Sequence, residues 1–228
     1  MYFVILLILL VVLILGPQWW VRHVLARNST EDKRFPGTGG EFARHLLDRL
    51  TLGQVQVETT PAGQGDHYDP LSRCVRLTPQ NIDGRSLTAV VTAAHEVGHA
   101  IQHAQGYGPF QWRMRLVKVA QVTERLGSFL LFAVPVLTLI TKAPVAGVVL
   151  FLAAAVTLGI GLLVQLVTLP VEWDASFTRA MPLLAAGYLD KEQLPEAGRI
   201  LRACSLTYVA ASLAGLLNFW RWIRFLRH

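Results

Sequence analysis

The residues from Tyr2 to Trp20, YFVILLILLVVLILGPQWW, contain no charged side chain. Two further apolar blocks run from Leu126 to Ile140 and from Ala143 to Pro170, with only Thr141 and Lys142 between them. About 20 apolar residues in a helix cross a bilayer. The chain therefore reads as an α-helical membrane protein: one N-terminal span, then a tight helical hairpin. No Lys or Arg precedes the first block, and Trp19, Trp20 and Arg22 follow it as an interfacial anchor would, so it reads as an uncleaved span.

Only 16% of the 228 residues are charged, against about 25% in an ordinary soluble domain. The net charge of +6 is scattered and partly flanks the apolar blocks. That distribution suits membrane-flanking cations and argues against a nucleic-acid partner, which needs a clustered basic face. If the first block crosses once and the hairpin crosses out and back, residues 22–121 and 171–202 share one side. That side holds Arg22, Arg27, Lys33, Arg34, Arg113, Arg115, Lys118 and Arg125, whereas the hairpin tip has Lys142 alone. The asymmetry places the shared side in the cytoplasm. Cys74 and Cys204 form no metal or redox motif and read as free thiols.

Between the spans the chain reads as a small α+β unit. GGEFARHLLDRLTL spaces Phe42, Leu46, Leu47 and Leu50 as an amphipathic helix. GQVQVETT alternates like a strand, and GDHYDPLSRCVRLTP gives two extended segments around Asp69-Pro70, together a short antiparallel sheet. SLTAVVTAAHEVGHAIQHAQG is a helix with its N-cap at Ser86 or earlier and a stop at Gly106.

That last helix carries the chemistry. Residues four apart share a helix face, roughly 5–6 Å apart, so His95 and His99 can converge on one ion. His-Glu-x-x-His is a zinc platform, and Glu96 beside the first histidine can serve as general base for a water on the metal. His103 lies about 12 Å from His95 along the axis and cannot ligate the same ion; it reads as a polar-face or supporting histidine. Gly98 costs up to about 1 kcal/mol in a helix interior, so it predicts close approach of another backbone or of the metal site.

A catalytic zinc takes three protein ligands. Cys74, His67 and Asp69 are candidates for the third, but Glu172 is preferred, because it follows a span and falls on the same side as the histidines. Asp174 and Ser176 stand close enough in sequence to support the ligating histidines. His67, Tyr68 and His103 are candidate donors to an oxyanion. The strand from Arg73 to Leu77 is a candidate for pairing with an extended substrate.

DHYDP, AAHEVGHAIQHA, LPVEWDAS and LTYVAA, in that order, resemble the neutral zinc metallopeptidases of the YugP-like membrane family over nearly the whole chain. That family is distantly similar to the HtpX and CAAX prenyl protease metallopeptidases. The resemblance implies a zincin-like unit in a bacterial cell membrane, with His95, His99 and Glu172 as zinc ligands and Glu96 as base. In the HtpX-like pattern an Asp follows the ligand Glu by a few residues; here Asp174 stands two residues on and Ser176 four.

The expected organisation is an anchor at 1–21, a zinc-binding peptidase region at 22–121, a transmembrane hairpin at 122–170, a segment with the third ligand at 171–202, and a C-terminal apolar helix at 203–228 that crosses the membrane or lies on it. The expected function is zinc-dependent peptide hydrolysis on protein or peptide substrates, including membrane-associated ones. The rival readings are an inactive zinc-binding membrane scaffold and a transporter. The transporter predicts ionisable residues inside the spans, and blocks 2–20 and 143–170 carry no charged residue.

Overall fold

The computed structural model describes residues 2–141 and 145–207. In chain order they form α1 (Tyr2–Arg27), α2 (Gly39–Arg49), β1 (Gln56–Thr59), β2 (His67–Asp69), β3 (Cys74–Leu77), α3 (Pro79–Ile82), α4 (Leu87–Ala104), α5 (Gly108–Thr141) and α6 (Val145–Trp173). A π-helical segment follows at Asp174–Ala180, then α7 (Met181–Ala185) and a helix over 194–207, here α8. The chain divides into two compact units. One contains everything up to Gly106 and from Glu172 onward, and the other is Tyr107–Val171.

In the first unit α4 is the central element. Every residue from Thr88 to Gln102 is buried, as expected of a helix apolar on most of its faces. Its start is built locally: the Ser86 hydroxyl accepts from Ala89 N at 3.1 Å. At its far end Gly106 takes φ +63°, a left-handed conformation that ends a helix cheaply only in glycine. α2 is fixed by a capping box, with Thr38 Oγ1 accepting from Glu41 N and Glu41 Oε2 from Thr38 N. Its buried stripe is Ala43, Leu46 and Leu47, packed toward α4. Phe42, expected on that stripe, lies edge-on against Tyr188 instead.

The sheet corrects an expectation. β2 and β3 form the foreseen antiparallel hairpin, but β1 pairs with β3 in parallel, in the order β1-β3-β2. The chain leaves β1 through the loop 60–66 and returns on the far side of β3. Asp66 anchors that loop, accepting from Thr78 N (2.6 Å), Thr78 Oγ1 (3.0 Å) and Asn81 Nδ2 (2.8 Å). β3 is thus the central strand with both edges occupied, so the substrate pairing expected at Arg73–Leu77 has no free edge to use.

α1 continues unbroken through Pro17 to Arg27, more than a turn past the expected end of the anchor. In the second unit α5 is a single helix from Gly108, so the boundary expected at 121/122 falls inside it. Large apolar side chains of this unit face outward, Leu139 and Ile140 being 81% and 73% exposed. Gly127 lies close to Thr157, where an added Cβ would stand 3.3 Å from the hydroxyl. The hairpin tip at 142–144 and most of the expected C-terminal apolar helix, 208–228, lie outside the described residues. Among the described residues one helical stretch, Gly159–Ala185, is long and apolar enough to cross a membrane by length and composition.

The Ser86 cap is buried, so Ser86→Ala leaves Ala89 N without that acceptor and without water. The variant should lose about 1–2 kcal/mol of stability. Urea unfolding followed by circular dichroism tests this; an unchanged midpoint and slope would mean the cap does not set the start of α4.

Candidate metal centre

His95 and His99 leave adjacent turns of α4 with ring centroids 4.8 Å apart and planes at 77°. Glu172, at the end of α6, brings its Oε2 to 3.2 Å from both Nε2 atoms. The ligand-type atoms of the three residues all lie within 4.8 Å of one another, and all three side chains are buried. Zinc–nitrogen and zinc–oxygen bonds of about 2.1 Å in a tetrahedron put ligand atoms roughly 3.4 Å apart. The two 3.2 Å spacings fit that edge, and two imidazoles with a carboxylate are a donor set suited to zinc.

The orientation of each ring is set by its other nitrogen. His99 Nδ1 meets Gln102 Oε1 at 2.9 Å, and Gln102 Nε2 donates to Asp174 Oδ2 at 2.8 Å. A carboxylate only accepts, so the Gln102 amide has one consistent orientation: its NH2 to Asp174 and its oxygen to His99. His99 Nδ1 is then the protonated nitrogen, and Nε2 presents its lone pair toward Glu172. Arg179 holds Asp174 in turn, donating from Nε at 2.6 Å, and its other arm donates to Gln105 Oε1 at 2.6 Å. His95 Nδ1 meets Ser176 Oγ at 2.9 Å, and that hydroxyl also lies 3.2 Å from Leu201 O and 2.8 Å from Ser205 Oγ. Ser205 further reaches Leu201 O and the Glu172 carbonyl.

Asp174, Ser176 and Arg179 come from the π-helical segment, which packs directly on α4. Gly98 makes the approach possible. A Cβ on Gly98 would stand 2.6 Å from Ala175 O, so the close backbone approach expected of this glycine is present.

The remaining sequence candidates lie elsewhere. His103 pairs with Tyr68, Nδ1 to hydroxyl at 2.9 Å. Burial pushes the Tyr68 phenol up to about 12 and holds the His103 imidazole below its ordinary value, so both groups stay neutral. The His67 ring donates to Gly65 O. Asp69 closes the β2–β3 turn with Leu71 N, Ser72 Oγ and Arg76. Cys74 is buried on β3, and burial, then Glu58 beside it, pushes its thiol up to about 11. Gln102, Gln105, Arg179 and Ser205 were not foreseen. Their only sequence signal was helical spacing: Gln102 stands three residues after His99, within one turn.

Glu96 is buried beside His95 and lines a cavity of about 310 Å3 that also reaches His95 and Thr92.

Two helical histidines one turn apart, closed by a carboxylate from a second helix, define a metal site of the metallopeptidase type. The chain belongs to the family described as "Putative neutral zinc metallopeptidase", whose model matches residues 3–227. It is also 32% identical over 220 residues, 95% of this chain and 94% of the other, to "Putative membrane protease YugP" of Bacillus subtilis (strain 168). No solved structure matches it significantly. Zinc is the metal of the family, and His95, His99 and Glu172 are the candidate residues for it.

Gly98→Ala should gain up to about 1 kcal/mol in helix propensity but force Ala175 away at a cost of about 1–3 kcal/mol. The clash should win, lowering both the melting temperature and the zinc content of the purified protein. A stabilised variant with full zinc would show that the π-helical segment is free to move off α4.

Proposed function

We propose that the protein is a membrane-anchored zinc endopeptidase. His95, His99 and Glu172 hold the metal, and Glu96 is the general base. The observation that carries this reading is the single carboxylate oxygen 3.2 Å from both imidazole Nε2 atoms, with a buried acid, Glu96, next to His95 and opening on a cavity.

When bound, zinc supplies Lewis acidity, lowering the pKa of a water and polarising a carbonyl oxygen. Glu96 takes a proton from the water as its oxygen attacks the scissile carbonyl carbon. The C–N bond then breaks, and Glu96 returns the proton to the departing amine nitrogen. Ser176 and the Gln102–Asp174–Arg179 chain keep both histidines in the tautomer whose Nε2 can ligate. Tyr68 and His103 hydrogen-bond to each other and the His67 ring is turned to Gly65 O, so none of the three is assigned the oxyanion.

The apolar length of α1, the outward apolar side chains of α5 and α6, and the name of the Bacillus subtilis relative support membrane anchorage. The excess of Arg and Lys on the segments bearing the site supports a cytoplasmic orientation. Substrates are proteins or peptides, membrane-associated ones included.

Zinc analysis and peptide hydrolysis on detergent-purified protein test the reading together. Glu96→Gln should keep its zinc and lose about 10²–10⁴-fold in kcat. Glu172→Ala should lose the metal, and Gln102→Leu should weaken zinc affinity about 10–100-fold. Full zinc in Glu172→Ala would remove it from the ligand set. A wild-type protein that holds zinc and cleaves no peptide would favour the inactive scaffold.

A further inference from the structure

The cavity beside Glu96 is walled in part by the supposed anchor. Gln18, Val21, Arg22 and Leu25 of α1 line it together with His95 and Glu96 of α4. The spacing 18, 21, 22, 25 is one face of a helix. The end of that face is fastened to α4: Thr88 Oγ1 donates to Leu25 O at 2.8 Å, and Thr88 N donates to Asn28 O at 3.1 Å. Thr88, Thr92 and Glu96 follow one another at four-residue steps along α4. The α1 face is therefore held against the same helix that carries the base.

Size and chemistry limit what the cavity takes. About 310 Å3 is at the small end of ligand pockets, enough for a side chain and its adjoining backbone. Val21, Leu25 and Cys204 give it apolar lining. Asp66 also borders it, but three donors from Thr78 and Asn81 already occupy that carboxylate. Arg22 adds a positive charge. The apolar lining thus suits an aliphatic side chain, and with Glu96 and Asp66 beside Arg22 the cavity carries no net positive charge.

We propose that the 18/21/22/25 face of α1 forms a substrate subsite that binds an aliphatic side chain adjacent to the scissile bond. This rests on the peptidase reading above and assigns its specificity to the N-terminal helix.

The test uses full-length protein in detergent and one peptide series varied at a single position among Ala, Val, Leu, Phe and Lys. Binding is read by fluorescence anisotropy in the Glu96→Gln background, and kcat/KM in the zinc-loaded protein with Glu96 intact. The Leu peptide should bind and react at least about tenfold better than Ala or Lys, a discrimination that apolar pockets reach. Leu25→Ala and Val21→Ala should move the optimum from Leu toward Phe, and Arg22→Glu should raise Lys relative to Leu at least about tenfold. Val24→Ala, a buried α1 position outside the lining, should leave the preference unchanged and controls for packing loss. An identical preference in all α1 variants overturns the subsite, as does the absence of any peptide binding to the Glu96→Gln protein. Shifted binding preferences without hydrolysis by any protein would uphold the subsite and sink the peptidase reading, so the two failures are separable.

Discussion

The carboxylate of Glu172 is sealed from water, and much of the first unit is arranged around that fact. An ionised group in such a place costs several kcal/mol unless it is paired and hydrogen-bonded. Here it faces two imidazole nitrogens at 3.2 Å each, and with their lone pairs turned toward it the partner the three groups share is a cation. Those imidazoles are buried as well, so their other nitrogens need partners, and the need passes outward through Ser176 on one side and Gln102 on the other. Each link ends in a group that can absorb it: a helix carbonyl for Ser176, and the Asp174–Arg179 ion pair for Gln102. A buried polar network of this kind is stabilising only when every member is satisfied. That requirement explains why serines, a glutamine and an ion pair gather where the rest of α4 packs against apolar residues.

The network also explains the backbone that holds it. Glu172 and Asp174 sit two residues apart in sequence yet serve opposite ends of the His99 ring. Ser176 reaches the other ring, His95. The π-helical segment begins at Asp174, directly after the ligand-bearing turn. A wider helix with i→i+5 bonding often marks functional sites, and this one lies against α4 only because Gly98 lacks a side chain. The sequence cost of Gly98 in a helix interior and the presence of the π-helical segment are two sides of one contact.

Seen from the sequence, elements with strong local signals were legible. The Ser86 cap and the Gly106 stop bound α4 as expected, and the turn at Asp69-Pro70 gave the hairpin. The histidine pair follows from helix periodicity, and Glu172 joins it because the segment that starts at the end of α6 packs on α4. What was not legible depends on tertiary placement. Strand order was missed because short strands carry no signal for which edge a neighbour takes; Asp66 decides it by tying the 60–66 loop to Thr78 and Asn81. Gln102 and Gln105 looked only like positions where a longer histidine motif breaks down. Their roles require a partner helix whose π geometry no sequence period announces. Phe42 fell off the expected α2 stripe because Tyr188, far along the chain, offers its ring a better surface.

The boundary between anchor and peptidase region shows most clearly what a composition-based division overlooks. A break at residue 21 follows the end of the uncharged block, yet the helix has no break there: α1 runs on to Arg27 with Val21 and Val24 buried. Its last turns are bound through Leu25 O and Asn28 O to Thr88 at the start of the helix that carries His95 and Glu96. The helix that carries the long uncharged block also supplies a wall of the cavity beside Glu96, so movement of α1 would reshape that cavity. On the proposed reading, anchorage and substrate selection are properties of one continuous helix.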